Sequence, residues 1–328
     1  MTAARSRARP ATLPAWVEPQ LATLTRDRFS DPAWLFERKL DGERCLTFAD
    51  SDGIRLMSRN QRDISTTYPE VAAALAAQIT APGQILDGEI VAFRANATSF
   101  SQLQQRLGLL HPSPSLVSAV PVLYYIFDVM YSGGRDVRLL PQLERKQILR
   151  ELLSFDDPLR YTEHRERDGE TYYKRACRDG WEGLIAKRAT APYHGGRTRD
   201  WLKFKCENAQ EFVIGGYTDP QGSRQVLGAL LLGFYDPDGR LNYAGKVGTG
   251  FSERVLLELR DTLSRLTRDS APFDIGRLPR THVHWVEPRL VAEVGFSEWT
   301  TDGQLRHPRY QGLRDDKDPR EVVRETPA

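Results

Sequence analysis

Between residues 211 and 296 five short runs of strand character are broken by a single amphipathic helix pattern, and few folds accommodate that arrangement. The runs are Glu211–Thr218, Leu227–Tyr235, Arg240–Gly248, His282–Glu287 and Leu290–Phe296. The helix pattern has Ser252 as its N-cap and Val255, Leu256, Leu259, Leu263 and Leu266 on one face. Five strands and one helix in about 120 residues predict a small β-barrel of the OB type.

The preceding part reads differently. Strands are predicted over Trp34–Lys39, Glu43–Phe48 and Gly53–Ser58, with turns at Asp41-Gly42 and Asp52-Gly53. A helix follows over Tyr68–Ile79, then a strand over Gln84–Phe93 and a buried strand over the apolar run Val122–Met130. Pro141 opens a helix carrying Leu149, Leu152 and Leu153, and a further helix covers Glu170–Cys177. The expectation is an α+β domain over 15–205 followed by the barrel over 206–328. Residues 1–14, with Arg5, Arg7, Arg9, Pro10 and Pro14, read as a disordered basic arm, because the prolines break the helix a mitochondrial presequence needs.

The 328 residues suit two domains. No stretch approaches the ~20 apolar residues of a membrane span and no signal-type apolar region follows the start, so neither a membrane partner nor secretion is expected. Cys45, Cys177 and Cys206 form no CxxC pair and no dense disulfide spacing, which predicts a reducing, cytoplasmic setting. The six histidines show no HxxxH-type pair, so a histidine metal centre is not expected. Residues 1–206 carry 30 basic and 25 acidic side chains, whereas 207–328 carry 16 and 19. A polyphosphate or nucleic-acid partner is allowed by that balance, not demanded.

Base usage is more pointed: 38 arginines against only eight lysines. A lysine retained in such a chain is a candidate for chemistry that a permanently protonated guanidinium cannot perform. Lys146 and Lys174 are read as ordinary surface lysines. Five of the eight (Lys39, Lys187, Lys203, Lys205 and Lys317) fall inside recurrent motifs. Glu37-Arg38-Lys39-Leu40-Asp41-Gly42-Glu43-Arg44 places a lysine at a strand end before a tight turn. Further along stand Ser58-Arg59-Asn60, Leu86-Asp87-Gly88-Glu89-Ile90-Val91, Trp181-Glu182-Gly183-Leu184-Ile185-Ala186-Lys187 and Trp201-Leu202-Lys203-Phe204-Lys205. Lys203 and Lys205, two apart on a strand, share a face, which is unfavourable unless an anion lies between them. The series ends in Arg306-His307-Pro308-Arg309-Tyr310 and Leu313-Arg314-Asp315-Asp316-Lys317.

In this order the segments resemble the covalent nucleotidyltransferases: ATP-dependent DNA ligases, RNA ligases and capping enzymes. The resemblance runs from about residue 30 almost to the end. Tyr193 through Gly196-Arg197 to Lys203, with Gly222-Ser223-Arg224 and Leu227 to Gly233, is similar to the ligase domain of bacterial ligase D. The implied fold is a nucleotidyltransferase (adenylation) domain followed by an OB domain. The implied chemistry is attack of a lysine on the α-phosphate of ATP, transfer of AMP to a 5′-phosphate, and displacement of AMP by a 3′-hydroxyl.

The resemblance implies the following roles. Lys39 is the nucleophile, which attacks only when neutral, so nearby cations such as Lys203 and Lys205 are expected to lower its pKa. Asp41 would oppose that and is expected to stay unpaired with it. Glu37 accepts from the adenine amine, Phe127 stacks on one face of the base and Ile185 covers the other. Arg44, Arg59 and Arg197, with Lys203 and Lys205, contact phosphate or ribose. Glu89 lies near the ribose, and Glu89 with Glu182 holds magnesium, for which manganese could substitute. Arg309, Arg314 and Lys317 orient pyrophosphate from the OB domain. Nicked or broken duplex DNA is the expected partner, with a Ku-type end-binding protein as a further one, on the bacterial nucleoid. No polymerase or phosphoesterase segment is present, so a minimal ligase core is expected. RNA ligation or capping is the alternative, and a catalytically silent nucleic-acid scaffold is disfavoured because Lys39, Glu89 and Glu182 are all present.

Overall fold

The computed structural model describes residues 7–95, 97–206, 208–220 and 226–326. The chain divides after Cys206 into two compact units.

Two sheets build the first unit. One runs in the order Arg9–Pro10, Arg135–Asp136, Val122–Tyr131, Gln84–Arg94, Glu43–Asp50, Gly53–Ser58, with Leu159–Tyr161 parallel to Val122–Tyr131. The other runs His164–Glu166, Trp34–Arg38, Gly183–Arg188, Gly196–Lys205, Gln20–Leu24. Alternation divides the second sheet by chemistry. Trp34, Phe36, Leu184, Ala186, Leu202 and Phe204 pack on Tyr172 and Ala176 of helix Gly169–Arg178. Phe36 and Phe204 are wholly buried there, each contributing about 1.5–3 kcal/mol. The opposite face carries Glu37, Ile185, Lys187, Trp201 and Lys203, and Trp201 joins Leu46, Phe48 and Phe127 of the first sheet in one apolar cluster.

Several expectations need correction. Asp52-Gly53 is a hairpin turn between paired strands, but Asp41-Gly42 is not: Trp34–Arg38 and Glu43–Asp50 lie in different sheets, so the segment crosses between them. Gly42 is required because a Cβ there would stand 2.1 Å from the Ile90 carbonyl oxygen. The basic arm is only partly outside the described residues. Arg9–Pro10 pairs with Arg135–Asp136 and Ala8 is buried, so this stretch is not a free arm. Cys177 and Cys206 form a disulfide across 29 residues, because the end of helix Gly169–Arg178 meets the end of strand Gly196–Lys205. Gly222-Ser223-Arg224 lies outside the described residues.

In the second unit the sheet order is Leu241–Val247, Leu230–Tyr235, Asn208–Thr218, Val283–Phe296, Thr267–Arg268, with Arg309–Leu313 also on Val283–Phe296. The two runs expected at 282–296 are one strand. Its ladder to Asn208–Thr218 skips from Trp285 to Leu290, so Pro288, which has no N–H to give, falls in the gap. Helix Glu253–Ser264 starts as expected, with the Ser252 hydroxyl accepting from the Val255 amide at 3.3 Å, and fully buries Leu259 and Leu263. Among the described residues no helix is long and apolar enough to cross a membrane.

Candidate active site

Lys39 follows the last residue of strand Trp34–Arg38, and its amide donates to the Gly183 carbonyl at 2.9 Å. Gly183 has φ +146°, and a Cβ there would meet the Phe204 carbonyl oxygen at 1.9 Å, so this crossing admits no side chain. The Lys39 ammonium pairs with Oε1 of Glu182; the two side chains are 19% and 21% exposed. Oε2 of Glu182 is buried with no hydrogen-bond partner. Burial is the largest influence on Lys39 and acts to lower its pKa, as does Lys205. The charge and hydrogen bond of Glu182, with a smaller part from Asp41, outweigh both, and the pKa is raised. The lowering expected from neighbouring cations is therefore corrected: a carboxylate in direct contact prevails.

Two residues earlier, the Glu37 carboxylate is 2% exposed. Lys146 donates to its Oε1 at 2.6 Å and to the Thr162 carbonyl at 2.8 Å. Lys187 Nζ lies 2.7 Å from Oε2, yet makes no well-directed hydrogen bond. Lys146, read from the sequence as a surface lysine, is 1% exposed. Helix Gln142–Leu152 turns Gln142, Arg145 and Lys146 inward at i, i+3 and i+4. Arg145 forms a doubly hydrogen-bonded pair with Asp128 (2.8 and 2.9 Å), and Gln142 donates to Asp128 and accepts from the Trp201 indole.

Lys187 Nζ stands 4.2 Å from the Phe127 ring centre and 4.1 Å from that of Trp201. Burial, the foremost cause, and the Lys146 charge bring the Lys187 pKa down to about 8 against the pull of Glu37 and Asp128. Arg44 lies over Phe127 at 4.7 Å and forks onto Asp87, with Nε to Oδ1 at 2.6 Å and Nη2 to Oδ2 at 2.7 Å. Tyr193 donates to the same carboxylate at 2.6 Å. Burial acts to lower the Arg44 pKa, but the Asp87 charge and hydrogen bonds hold it well above its ordinary value.

The structure thus gathers Glu37, Lys39, Ile185, Lys203 and Lys205 on neighbouring strands of one sheet: Glu37 is opposite Ile185, Ile185 opposite Lys203, and Gly183 opposite Lys205. Arg44 and Glu89 face each other in register on the other sheet. Arg59 stands in the turn after Gly53–Ser58, and the exposed Arg197 donates to the Ala22 carbonyl at 2.6 Å. Arg309, Arg314 and Lys317 belong to the second unit. Arg309 is exposed. Arg314 forks onto Asp316 at 2.8 Å twice, with Glu293 at 3.7 Å, and Lys317 meets Glu211 at 3.2 Å. The residues missed from the sequence are Lys146, Lys187, Trp201 and Asp87. Lysine scarcity singled out Lys187 without giving it a role, Lys146 was set aside as a surface lysine, and all but Lys146 lie inside the quoted motifs.

Among the described residues no three His, Cys, Asp or Glu side chains come together as a metal cage. The buried, unpartnered Oε2 of Glu182 nonetheless fits a hard cation of the magnesium type, which binds through one or two carboxylates and completes its shell with substrate phosphates and water.

A strand-end lysine paired with a carboxylate, on a sheet that also carries the buried Glu37 and Lys187, is the arrangement of a covalent nucleotide-transfer site. Residues 19–205 match the ATP dependent DNA ligase domain and residues 223–317 the ATP dependent DNA ligase C terminal region. The chain belongs to the ATP-dependent DNA ligases, with a nucleotidyltransferase domain followed by an OB-fold domain. It is 37% identical over 325 residues to the multifunctional non-homologous end joining protein LigD of Pseudomonas aeruginosa, covering 96% of this chain and 37% of that protein. To the LigD of Mycobacterium tuberculosis it is 40% identical over 297 residues, covering 89% and 37%. The chain therefore spans just over a third of these relatives. Among solved structures, mycobacterial DNA ligase D complexed with ATP and MES superposes with a TM-score of 0.67 at 37% identity, over 94% of this chain and 98% of that one.

Proposed function

We propose that this chain is an ATP-dependent DNA ligase of the end-joining type, working through an AMP adduct on Lys39. The observation that carries this reading is the position of Lys39, at a strand end, paired with Glu182 and flanked across the sheet by Lys203 and Lys205. Attack on an α-phosphate needs the Nζ lone pair, so the Lys39–Glu182 pair is a resting state that opens before the first step. Lys203 and Lys205 then supply fixed positive charge where the phosphates lie, and Arg44, held rigid by Asp87, does so from the facing sheet. Magnesium held by Glu182 and Glu89 would neutralise phosphate charge.

At the base end, Glu37 offers only acceptors and Lys187, which lies over the Phe127 ring, only donors, and the two stand side by side. Adenine presents the complement, an amine next to a ring-nitrogen acceptor; guanine presents the reverse. Ile185 supplies apolar cover, whereas Phe127, expected to stack on the base, is buried with Lys187 and Arg44 over its ring. The relatives' end-joining names, and ATP in the mycobacterial structure, support the same substrate. A DNA end or nick is the acceptor of AMP, a Ku-type protein the partner to look for, and the bacterial nucleoid in the cytoplasm the place of work.

Incubation with α-labelled ATP, followed by a chase with nicked DNA or nicked RNA, tests the reading in one measurement. The expected result is label on the protein that is released as strands seal on DNA. Absence of a protein adduct removes the proposal; sealing confined to RNA replaces it with RNA ligation.

A further inference from the structure

Lys146 has no counterpart in the roles described so far, yet it is one of the most enclosed groups in the chain. Its ammonium is fixed on three sides: Glu37 Oε1 at 2.6 Å, the Thr162 carbonyl at 2.8 Å and the face of Tyr161 at 4.6 Å. Removing a lysine from water so completely is costly, and an aliphatic side chain would fill the space without that cost. The cluster is also unbalanced, since one carboxylate faces two ammonium groups.

The geometry shows what the third charge does. A glutamate carboxylate turns easily about its last torsion. With Lys187 alone beside it, the Glu37 carboxylate would swing to place both oxygens on that ammonium. Acceptor and donor would then satisfy each other and present nothing to a base. Lys146 holds Oε1 from the side of helix Gln142–Leu152, and Lys187 is left beside Oε2 without a directed hydrogen bond. We propose that Lys146 is a positioning residue for base recognition, holding Glu37 so that Glu37 and Lys187 remain separate acceptor and donor toward the amine-bearing edge of adenine. This rests on the nucleotide reading of the site given above. Lys187 is lowered to about 8 mainly by burial, with Lys146 contributing and Glu37 pulling the other way.

The test uses the full chain and compares adduct formation from ATP with that from purine riboside triphosphate, which is ATP without the exocyclic amine. Wild type should prefer ATP by about tenfold or more in kcat/KM, the usual effect of a hydrogen bond to a charged group. Lys146→Met leaves Glu37 and Lys187 as a balanced pair, so it should fold. Its preference for ATP should fall to about threefold or less, with the loss in KM rather than kcat. Glu37→Gln combined with Lys146→Met should discriminate no worse than Glu37→Gln alone. Lys146→Gln, neutral but still a donor, should lie between Lys146→Met and wild type and gives the same readout should the methionine variant fold poorly.

A folded Lys146 variant that keeps the full preference overturns the proposal, as does equal slowing with both nucleotides, which marks a core role only. If wild type itself does not distinguish the two nucleotides, the reading of Glu37 as an amine acceptor fails and the proposal falls with it. The first two results leave that reading standing.

Discussion

One oxygen of Glu182 is paired with the Lys39 ammonium while the other is buried without a hydrogen-bond partner. The pair holds Lys39 protonated, so whatever draws Glu182 away also releases the nucleophile. Lys39→Ala and Lys39→Arg should both abolish the protein–AMP adduct, the second because a guanidinium stays protonated. The pair is largely buried, so Lys39→Ala leaves the Glu182 carboxylate without its partner and should cost roughly 1–3 kcal/mol of stability while the protein still folds. Adduct formation in either variant, measured with labelled ATP, removes Lys39 from the role.

Glu182→Gln keeps the shape and removes the charge. Adduct formation at limiting magnesium should drop by about 100-fold, the scale of losing a metal's electrostatic help, and excess magnesium should restore part of it. Unfolding should be nearly unchanged. Normal rates at limiting magnesium would mean that the unpartnered oxygen serves no cation.

How far the sequence reached depends on the range of the interaction. Strands such as Trp34–Arg38 and Gln84–Arg94, and the Ser252 cap, follow from local pattern and were legible. The crossover at Asp41-Gly42 was not, because a glycine that permits a close pass over Ile90 looks the same as one that turns a hairpin. Lys146 was hidden for a related reason. Helical spacing shows that Gln142, Arg145 and Lys146 share a face, but polar residues on one face read as solvated until Asp128 and Glu37 arrive from distant strands. The rise in the Lys39 pKa depends on one contact with Glu182, 143 positions along, whose direction no spacing rule supplies.

Lys187 gives a pH signature. Facing Glu37, Lys146 and Asp128 in the interior, it releases its proton near 8 in the folded chain, against 10.5 as the ordinary value. Between those limits the unfolded chain holds more protons, so raising the pH through this window favours folding. Below about 8 both states are protonated and the burial penalty is fully present. The stability of wild type minus that of Lys187→Met should therefore rise between pH 8 and 10.5 by on the order of 3 kcal/mol. Parallel denaturant-derived stability curves for the two proteins would show that Lys187 titrates normally.

The second unit requires a division of labour among Arg309, Arg314 and Lys317. Arg314 is the least available of the three: its side chain is 10% exposed, that of Asp316 6%, and the two are forked together. Arg314→Ala would leave a buried carboxylate without its partner, a loss of about 3–5 kcal/mol. Its effect on ligation would then say nothing about pyrophosphate. Arg309 is exposed and Lys317 meets Glu211 in a partly open pair worth roughly 0–1 kcal/mol, so each can be removed cleanly. If these two orient the leaving pyrophosphate, Arg309→Ala with Lys317→Ala should lose adduct formation from ATP and still seal a nick that already carries a 5′-AMP, since no pyrophosphate remains to be oriented. Thermal unfolding should separate the two classes of variant at once, low for Arg314→Ala and near wild type for the other pair. Full adduct formation by the double variant would reduce its residues to surface charges, and equal loss of both reactions would make them DNA-clamping residues instead.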